Sequence, residues 1–499
     1  MVAAAGTVGP TVPLEGAGIT ADDAAAEEAG NARLEVRGEA PSMRACGVPQ
    51  ATRSANPRGD RRSMGREHTQ TRGARGLSVG NLGATKRAMS SERREVVITG
   101  MGVACHLGDD LTALEAHLRA GTSRPFDRWQ TAVDHGCRCH LIGAYQGSLE
   151  DDVLGVDKKL SRFFGRASRL ALKASRAALA QSGLNPRDSA MVVGSGTGDV
   201  ETHREMNAKL EATHDARRIA PTVIPKIMAS TVSANLVNVL QTRGPSLSIA
   251  AACAGGTYNV IVAAQLIESG VVDSAVAGGV ECADIHFHSG FDSMRAYNGT
   301  DNERPERASR PYAADRAGFI FGEGAGVLIL ESRDAATARG ATILGSLRGF
   351  GMSSDGKGEM VAPDEDGAYR SMTHALGHAG LEPAAIDYIN THGTSTPLGD
   401  VSEVRAIRRA FAGRHVAYSS TKGYTGHTIS AAGAIEAIFT LLMLRGGFIA
   451  PSIHARPLEP SLEDFAPVLE PTHRELRLAM SNSFGFGGTN ATVVLAREP

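Results

Sequence analysis

Cys253 has the setting that a nucleophile needs. It closes the apolar run SLSIAAAC and precedes AGGTYNV, which places its sulfur at the start of a helix whose unpaired backbone N–H groups favour an anion. A thiol so placed is expected to have a depressed pKa and to be partly thiolate. The glycines that follow leave room for an attacked carbonyl. Two histidines sit in comparable loops: His392 in NTHGTSTPLGD and His427 in TKGYTGHTISAAG, each at the end of a strand-like run, where open α/β sheets place their sites. Lys422, five residues before His427, reads as a local cation. The run SNSFGFGGTNATVVL reads as a flexible glycine-rich loop, and its backbone N–H groups around Gly485–Gly488 are candidate donors to an oxyanion.

Other clusters carry less. HGCRCH (His135–His140) and DIHFH (Asp284–His288) contain metal-ligand residue types but no matching distant pair at zinc-site intervals, so no metal is expected. GSGTG (Gly194–Gly198) follows a strand but lacks the full G-x-G-x-x-G frame, which argues against nucleotide binding. SSTK (Ser419–Lys422) with SAN (Ser233–Asn235) raises a different class, a serine acyl-enzyme of the penicillin-binding type. Against it, this S-x-x-K ends a strand instead of opening a helix, and no K-T-G follows.

The elements that must hold these groups alternate. VVITGMGV (Val96–Val103), AMVVGSGTG, SLSIAAAC and VVDSAVAGGVE read as strands, and the stretch around LSRFFGRASRLALKASRAALAQSG has helical spacing of Phe163, Leu170, Leu172 and Leu179. AGGTYNVIVAAQLIESG reads as a small-residue helix ended by Gly270. Later strands are ATILGSLRGFGMSS, IDYINTHG and HVAYSSTKG, with helices in GAYRSMTHALGHAG and GDVSEVRAIRRAFAG. SLSIAAAC plus its Ala/Gly helix has a counterpart in VAYSSTK plus GHTISAAGAIEAIFTLLML, so a duplicated α/β layer architecture is expected.

Composition bounds the rest. The 499 residues include 52 basic and 54 acidic ones, which gives no global drive toward nucleic acid or anionic membrane. No uninterrupted run of 18 apolar residues exists, and AIEAIFTLLML is broken by Glu436, so no membrane span is expected. Six cysteines are too sparse for a disulfide scaffold and favour a reducing compartment. Residues 1–88 contain no Phe, Tyr or Trp and show neither structural period. The segment 1–92 is therefore expected to be a disordered extension, either a targeting segment or an over-called start preceding Met89. The half with the nucleophile spans residues 93–340, and the half with both histidines spans 341–499.

SIAAACAGG, NTHGTSTPLGD, TKGYTGHTISAAGA and SNSFGFGGTN, in this order, resemble the β-ketoacyl-acyl carrier protein synthases of the thiolase superfamily. GEMVAPDEDGA and LLMLRGGFIAPSI look most like the synthase I/II group of dissociated bacterial-type fatty acid synthesis. The resemblance implies a thiolase-like duplicated αβαβα five-layer fold and a Cys253–His392–His427 triad. It also implies support from Lys422, Glu403 and Asp400, pantetheine contacts at Thr394 and Thr396, and an oxyanion hole from the N–H groups of Cys253 and of the gating Phe486. The implied reaction is decarboxylative condensation of malonyl-acyl carrier protein with a Cys-bound acyl chain, an acyltransferase chemistry, with Lys422 and Glu403 orienting the imidazoles. Polyketide or aryl polyene assembly would keep the same triad. No resident cofactor is implied, since phosphopantetheine arrives on the carrier protein. The implied partners are that carrier protein and a second copy of the chain. Arg162, Arg166 and Arg169 are candidates for the docking patch, and Thr197 lies by analogy near residues that tune acyl length. The expected location is the cytoplasm, or an organelle stroma or matrix if the extension is a transit peptide.

Overall fold

The computed structural model describes residues 93–361 and 363–498, and the expectations for residues 1–92 lie outside them. Five strands build the first half: β1 (Val96–Cys105), β2 (Ala190–Ser195), β3 (Ser246–Leu247), β4 (Ser274–Glu281) and β5 (Gly324–Ser332). Five build the second: β6 (Gly345–Ser354), β7 (Tyr388–Asn390), β8 (Ala417–Ser419), β9 (Leu478–Gly485) and β10 (Thr489–Ala496). Their spatial orders are β3-β2-β4-β5-β1 and β8-β7-β9-β10-β6. The two orders are the same once each half is counted from its own first strand. Pairing directions agree too, with two parallel ladders followed by two antiparallel ones in each half. The duplication read from the motifs is thus present strand by strand. The halves join where β1 meets β6 through Val96–Leu347, Val97–Ser346 and Ile98–Gly345.

Helices fill the remaining layers. α1 (Arg166–Ser182) packs on β1 and β5, and α2 (Thr231–Leu240) packs on β2, forming one outer layer. α3 (Gly255–Glu268) and α7 (Ala432–Gly446) pack on each other between the two halves of the sheet. α4 (Ile285–Ser293) flanks the site, while α5 (Glu365–Ala379) and α6 (Pro397–Ala410) cover the second sheet. The result is the αβαβα arrangement. A central helix must bury every face, which explains why α7 has no polar stripe and is buried from Ala432 to Leu444. The stretch Ile429–Gly446 is long and apolar enough to cross a membrane, but 89% of it is buried inside the fold. It is the core helix of the second half.

Three local expectations are corrected. SLSIAAAC is not a buried strand: only Ser246 and Leu247 pair, both exposed, because β3 is the edge of the sheet. SNSFGFGGTNATVVL is not a loop but the hairpin β9–β10, turning through Gly487 and Gly488 at φ 78° and 73°. Phe163 precedes α1, so the helical stripe there begins with Ala167 and Leu170.

Candidate active site

The nucleophile stands on a strained corner. Ala252 adopts φ 44°, which costs a residue with a side chain roughly 1–2 kcal/mol, and this turns Cys253 in from the sheet edge toward α3. Cys253 is buried in a cluster with Phe319, Phe321, Tyr297 and Ile429. Its own backbone N–H and that of Phe486 both favour the thiolate form. Phe486 occupies that place because the β9–β10 turn passes directly over the corner. A Cβ on Gly485 would stand 3.1 Å from the Cys253 nitrogen.

His392 follows β7, and its loop is held by Glu403 of α6. That carboxylate accepts the His392 N–H at 2.9 Å, the Gly393 N–H at 2.8 Å and Asn482 Nδ2 at 3.1 Å. Asp400, one turn earlier on α6, accepts the N–H groups of Ser395 at 3.0 Å and Tyr312 at 2.9 Å and pairs with Arg316 at 3.1 Å. Neither acid touches an imidazole. Both fix backbone, so the expected direct orientation of the rings by Glu403 is corrected to orientation through the loop. His427 is clamped by its main chain: its N–H donates to Ile320 O at 2.7 Å and its carbonyl accepts the Gly322 N–H at 3.0 Å.

The two rings meet edge to face with centroids 5.2 Å apart. The Cys253 sulfur and a ring nitrogen of each histidine lie within 4.8 Å of one another. Among the described residues this is the one group of His, Cys and acidic side chains whose ligand atoms converge. Neither ring nitrogen of His427 has a partner, nor does His392 Nδ1. Buried polar atoms left unpaired in this way are available to a substrate.

Lys422 does not reach the rings either. Its ammonium pairs with Glu436 of α7, an acid that the sequence presents only as a break in an apolar run. Burial raises the Glu436 carboxyl to about 7, against the pull of Lys422. Burial, then the Lys422 charge, hold both imidazoles well below their usual range, so they are neutral. The expectation for the thiol is overturned. Burial pushes Cys253 up to about 12, outweighing Lys422 and the Phe486 N–H, so the free protein carries a neutral thiol. A helix start favours an anion, but desolvation in an apolar cluster is the larger effect here.

Cys253, His392, His427, Thr394, Thr396, Glu403 and Phe486 line one cavity of about 650 Å³ that opens past Met360 and Leu398. The hydroxyls of Thr394 and Thr396 face each other at 3.1 Å. Thr197 is not on this wall, since its hydroxyl turns to Glu281 at 2.8 Å. HGCRCH and DIHFH do come together, but as packing: His288 Nε2 meets Cys139 O at 3.0 Å, and Asp292 accepts the N–H groups of Arg138 and Cys139. Arg166 is bound to Glu323, and Arg169 to Asp151 and Leu149 O, so these two are not free docking cations. The serine alternative finds no site. Ser419 Oγ donates to Ala450 O at 2.6 Å, Ser233 Oγ to Ser230 O at 3.3 Å, and neither lines the cavity.

Residues 93–336 match the family model described as beta-ketoacyl synthase, N-terminal domain, and residues 344–456 match its C-terminal domain. The chain is 39% identical over 411 residues to 3-oxoacyl-[acyl-carrier-protein] synthase 1 of Escherichia coli strain K12, covering 81% of this chain and 99% of that protein. It is 35% identical over 418 residues to 3-oxoacyl-[acyl-carrier-protein] synthase 2 of Staphylococcus aureus strain N315, covering 82% and 99%. The crystal structure of a beta-ketoacyl synthase from Burkholderia phymatum STM815 superposes with a TM-score of 0.76 at 32% identity, over 81% of this chain and all of that one.

Proposed function

The chain belongs to the β-ketoacyl synthase family, and from that premise we propose that it is a 3-oxoacyl-acyl carrier protein synthase, extending acyl chains by a two-carbon unit in fatty acid biosynthesis. The observation that carries the reading is the convergence of the Cys253 sulfur with one nitrogen from each neutral imidazole, at the inner end of the cavity.

Each group has one task. The Cys253 sulfur attacks the thioester carbonyl of an acyl-carrier protein. Its proton passes to a neighbouring neutral imidazole and then to the departing pantetheine sulfur. The N–H groups of Cys253 and Phe486 stabilise the tetrahedral oxyanion, each contributing roughly 3 kcal/mol. Malonyl-carrier protein then enters with its arm along Thr394 and Thr396. Its carboxylate leaves as carbon dioxide, and the electron pair moves to the thioester oxygen, where N–H donation from His392 and His427 stabilises the enolate. The enolate carbon attacks the acyl-Cys253 carbonyl, and the cysteine sulfur leaves. Neutral rings suit this step because they donate without trapping the enolate as an ion pair. Phosphopantetheine comes with the carrier protein, and the enzyme needs no cofactor of its own.

The protein works as a homodimer in the cytoplasm. The bare edge at β3 supports the first point: Ser246, Leu247 and Ala250 are exposed there, three residues before Cys253 at the nearest. Cysteines without disulfides among the described residues support the second. The test is malonyl-dependent extension of acyl-carrier proteins of graded chain length. Cys253→Ala is expected to abolish it, and near-normal extension by that variant would sink the proposal. Saturated primers of increasing length should all serve; turnover confined to polyketide-type intermediates would move the enzyme to another pathway.

A further inference from the structure

Glu281 is the last residue of β4 and is fully buried, with no lysine or arginine paired to it among the described residues. Its Oε1 accepts from Ser195 Oγ at 3.2 Å and Thr197 Oγ1 at 2.8 Å, and its Oε2 accepts the Gly196 N–H at 3.1 Å. The backbone of Ser430 favours its ionised form as well. Three donors therefore meet on one carboxylate, and two distant segments pack beside it. One segment is the Gly194–Gly198 loop. The other is the turn Ile429–Ala431, which begins two residues after His427. Ile429 holds φ 45°, a left-handed conformation that a β-branched residue keeps only when its surroundings over-determine it. Gly196 lies in the angle between the two: a Cβ there would stand 2.7 Å from Glu281 Oε2 and 3.6 Å from the Ser430 Cβ.

We infer that Glu281 is a positioning residue for the condensation: it ties the strained turn behind His427 to the Gly194–Gly198 loop and so sets the imidazole beside Cys253. This rests on the reaction proposed above. A carboxylate is suited to the task because it accepts on both oxygens at once, which neither an amide nor an apolar side chain can do. Its charge leaves a second mark. Glu281 opposes ionisation of the Cys253 thiol, whereas Lys422 favours it.

These two effects give opposite signs in one variant, which a purely structural residue would not. Glu281→Gln keeps the shape and removes the charge. Its kcat for malonyl-dependent extension is expected to fall about tenfold with KM within about threefold, since a small displacement of a catalytic group is felt mainly in the chemical step. Iodoacetamide labelling of Cys253 at pH 8, followed by peptide mass spectrometry, is expected to become about threefold faster because the thiolate fraction rises. An unchanged kcat overturns the inference, and so does labelling that is unchanged or slowed. Thr197→Val, which removes one donor from the carboxylate and preserves side-chain shape, provides a milder variant. Its kcat should fall by about twofold at unchanged KM, and an undiminished kcat again overturns the inference. The labelling arm needs no substrate, so it is read even if the unaltered protein fails to extend any primer, a result that would refute the reaction instead.

Discussion

Lys422 acts on three reactive groups without touching any of them. Its charge lowers the Cys253 thiol and keeps His392 and His427 neutral, while Glu436 anchors the ammonium in the core. Removing it alone would leave Glu436 buried and unpaired, which typically costs about 3–5 kcal/mol. The informative protein is therefore the paired variant Lys422→Met with Glu436→Gln. Loss of the cation raises the thiol further, so labelling of Cys253 by iodoacetamide at fixed pH should slow several-fold. In the unaltered protein, labelling should keep rising with pH beyond 9, because the thiol sits near 12. A plateau below pH 9 would contradict this. At this scale the sequence was legible where a reactive residue stood among glycines and small residues after a strand-like run, as Cys253, His392 and His427 do. Glu281 and Glu436 were not legible, because an acid in an apolar strand or helix explains itself only through donors supplied by distant segments. An acidic residue inside such a run is nonetheless the signal to follow.

Among the elements, the pair α3 and α7 sets the distance between nucleophile and histidine. Gly256, in the first turn of α3, packs against the start of α7 and the turn before it: a Cβ there would meet Ser430 O at 2.7 Å and Ala434 N at 3.1 Å, both backbone atoms that cannot swing aside. Gly256→Ala should accordingly destabilise the protein by about 1–3 kcal/mol, seen as a lower melting temperature, and should reduce extension more than Cys253 labelling. Equal melting and full activity would show that the helices can separate at no cost. The Ala/Gly character of both helices was readable from sequence, and it correctly marked close packing. The hairpin β9–β10 is hidden in the sequence because its glycine turn dominates the local signal. The alternation in Leu478–Gly485 and Thr489–Ala496 is masked by burial on both faces, which removes the period-2 contrast. The sequence overstates the edge strand β3 for the converse reason. Apolar residues there form a turn and a surface, not a ladder.

For the whole molecule, the two ends of the sheet differ. Beyond β8 the chain covers its own edge, with the Val468 N–H on Tyr418 O at 2.8 Å and Ser452 Oγ accepting the Ser420 N–H at 3.0 Å. Beyond β3 no segment of the described chain does so, and Leu247 remains 40% exposed. Unpaired edges invite another strand. If the chain pairs through this edge as proposed, Leu247→Glu should give monomers by light scattering at micromolar concentration, and because Cys253 lies six residues on, activity should fall with it. A dimer that persists would place the interface elsewhere.

The placing of β1 carries a cost of a different kind. All ten of its residues are buried, yet its ladder partners on β5 lie roughly 220–240 residues later in the chain. Ribosomes add about 5–20 residues per second, so this strand waits on the order of 10–50 s after emerging before its ladder partner is made. During synthesis the first strand of the fold is thus the longest exposed and the most prone to pair with a neighbouring nascent chain. Demand for chaperones should follow translation speed through residues 106–332, not the stability of the finished enzyme.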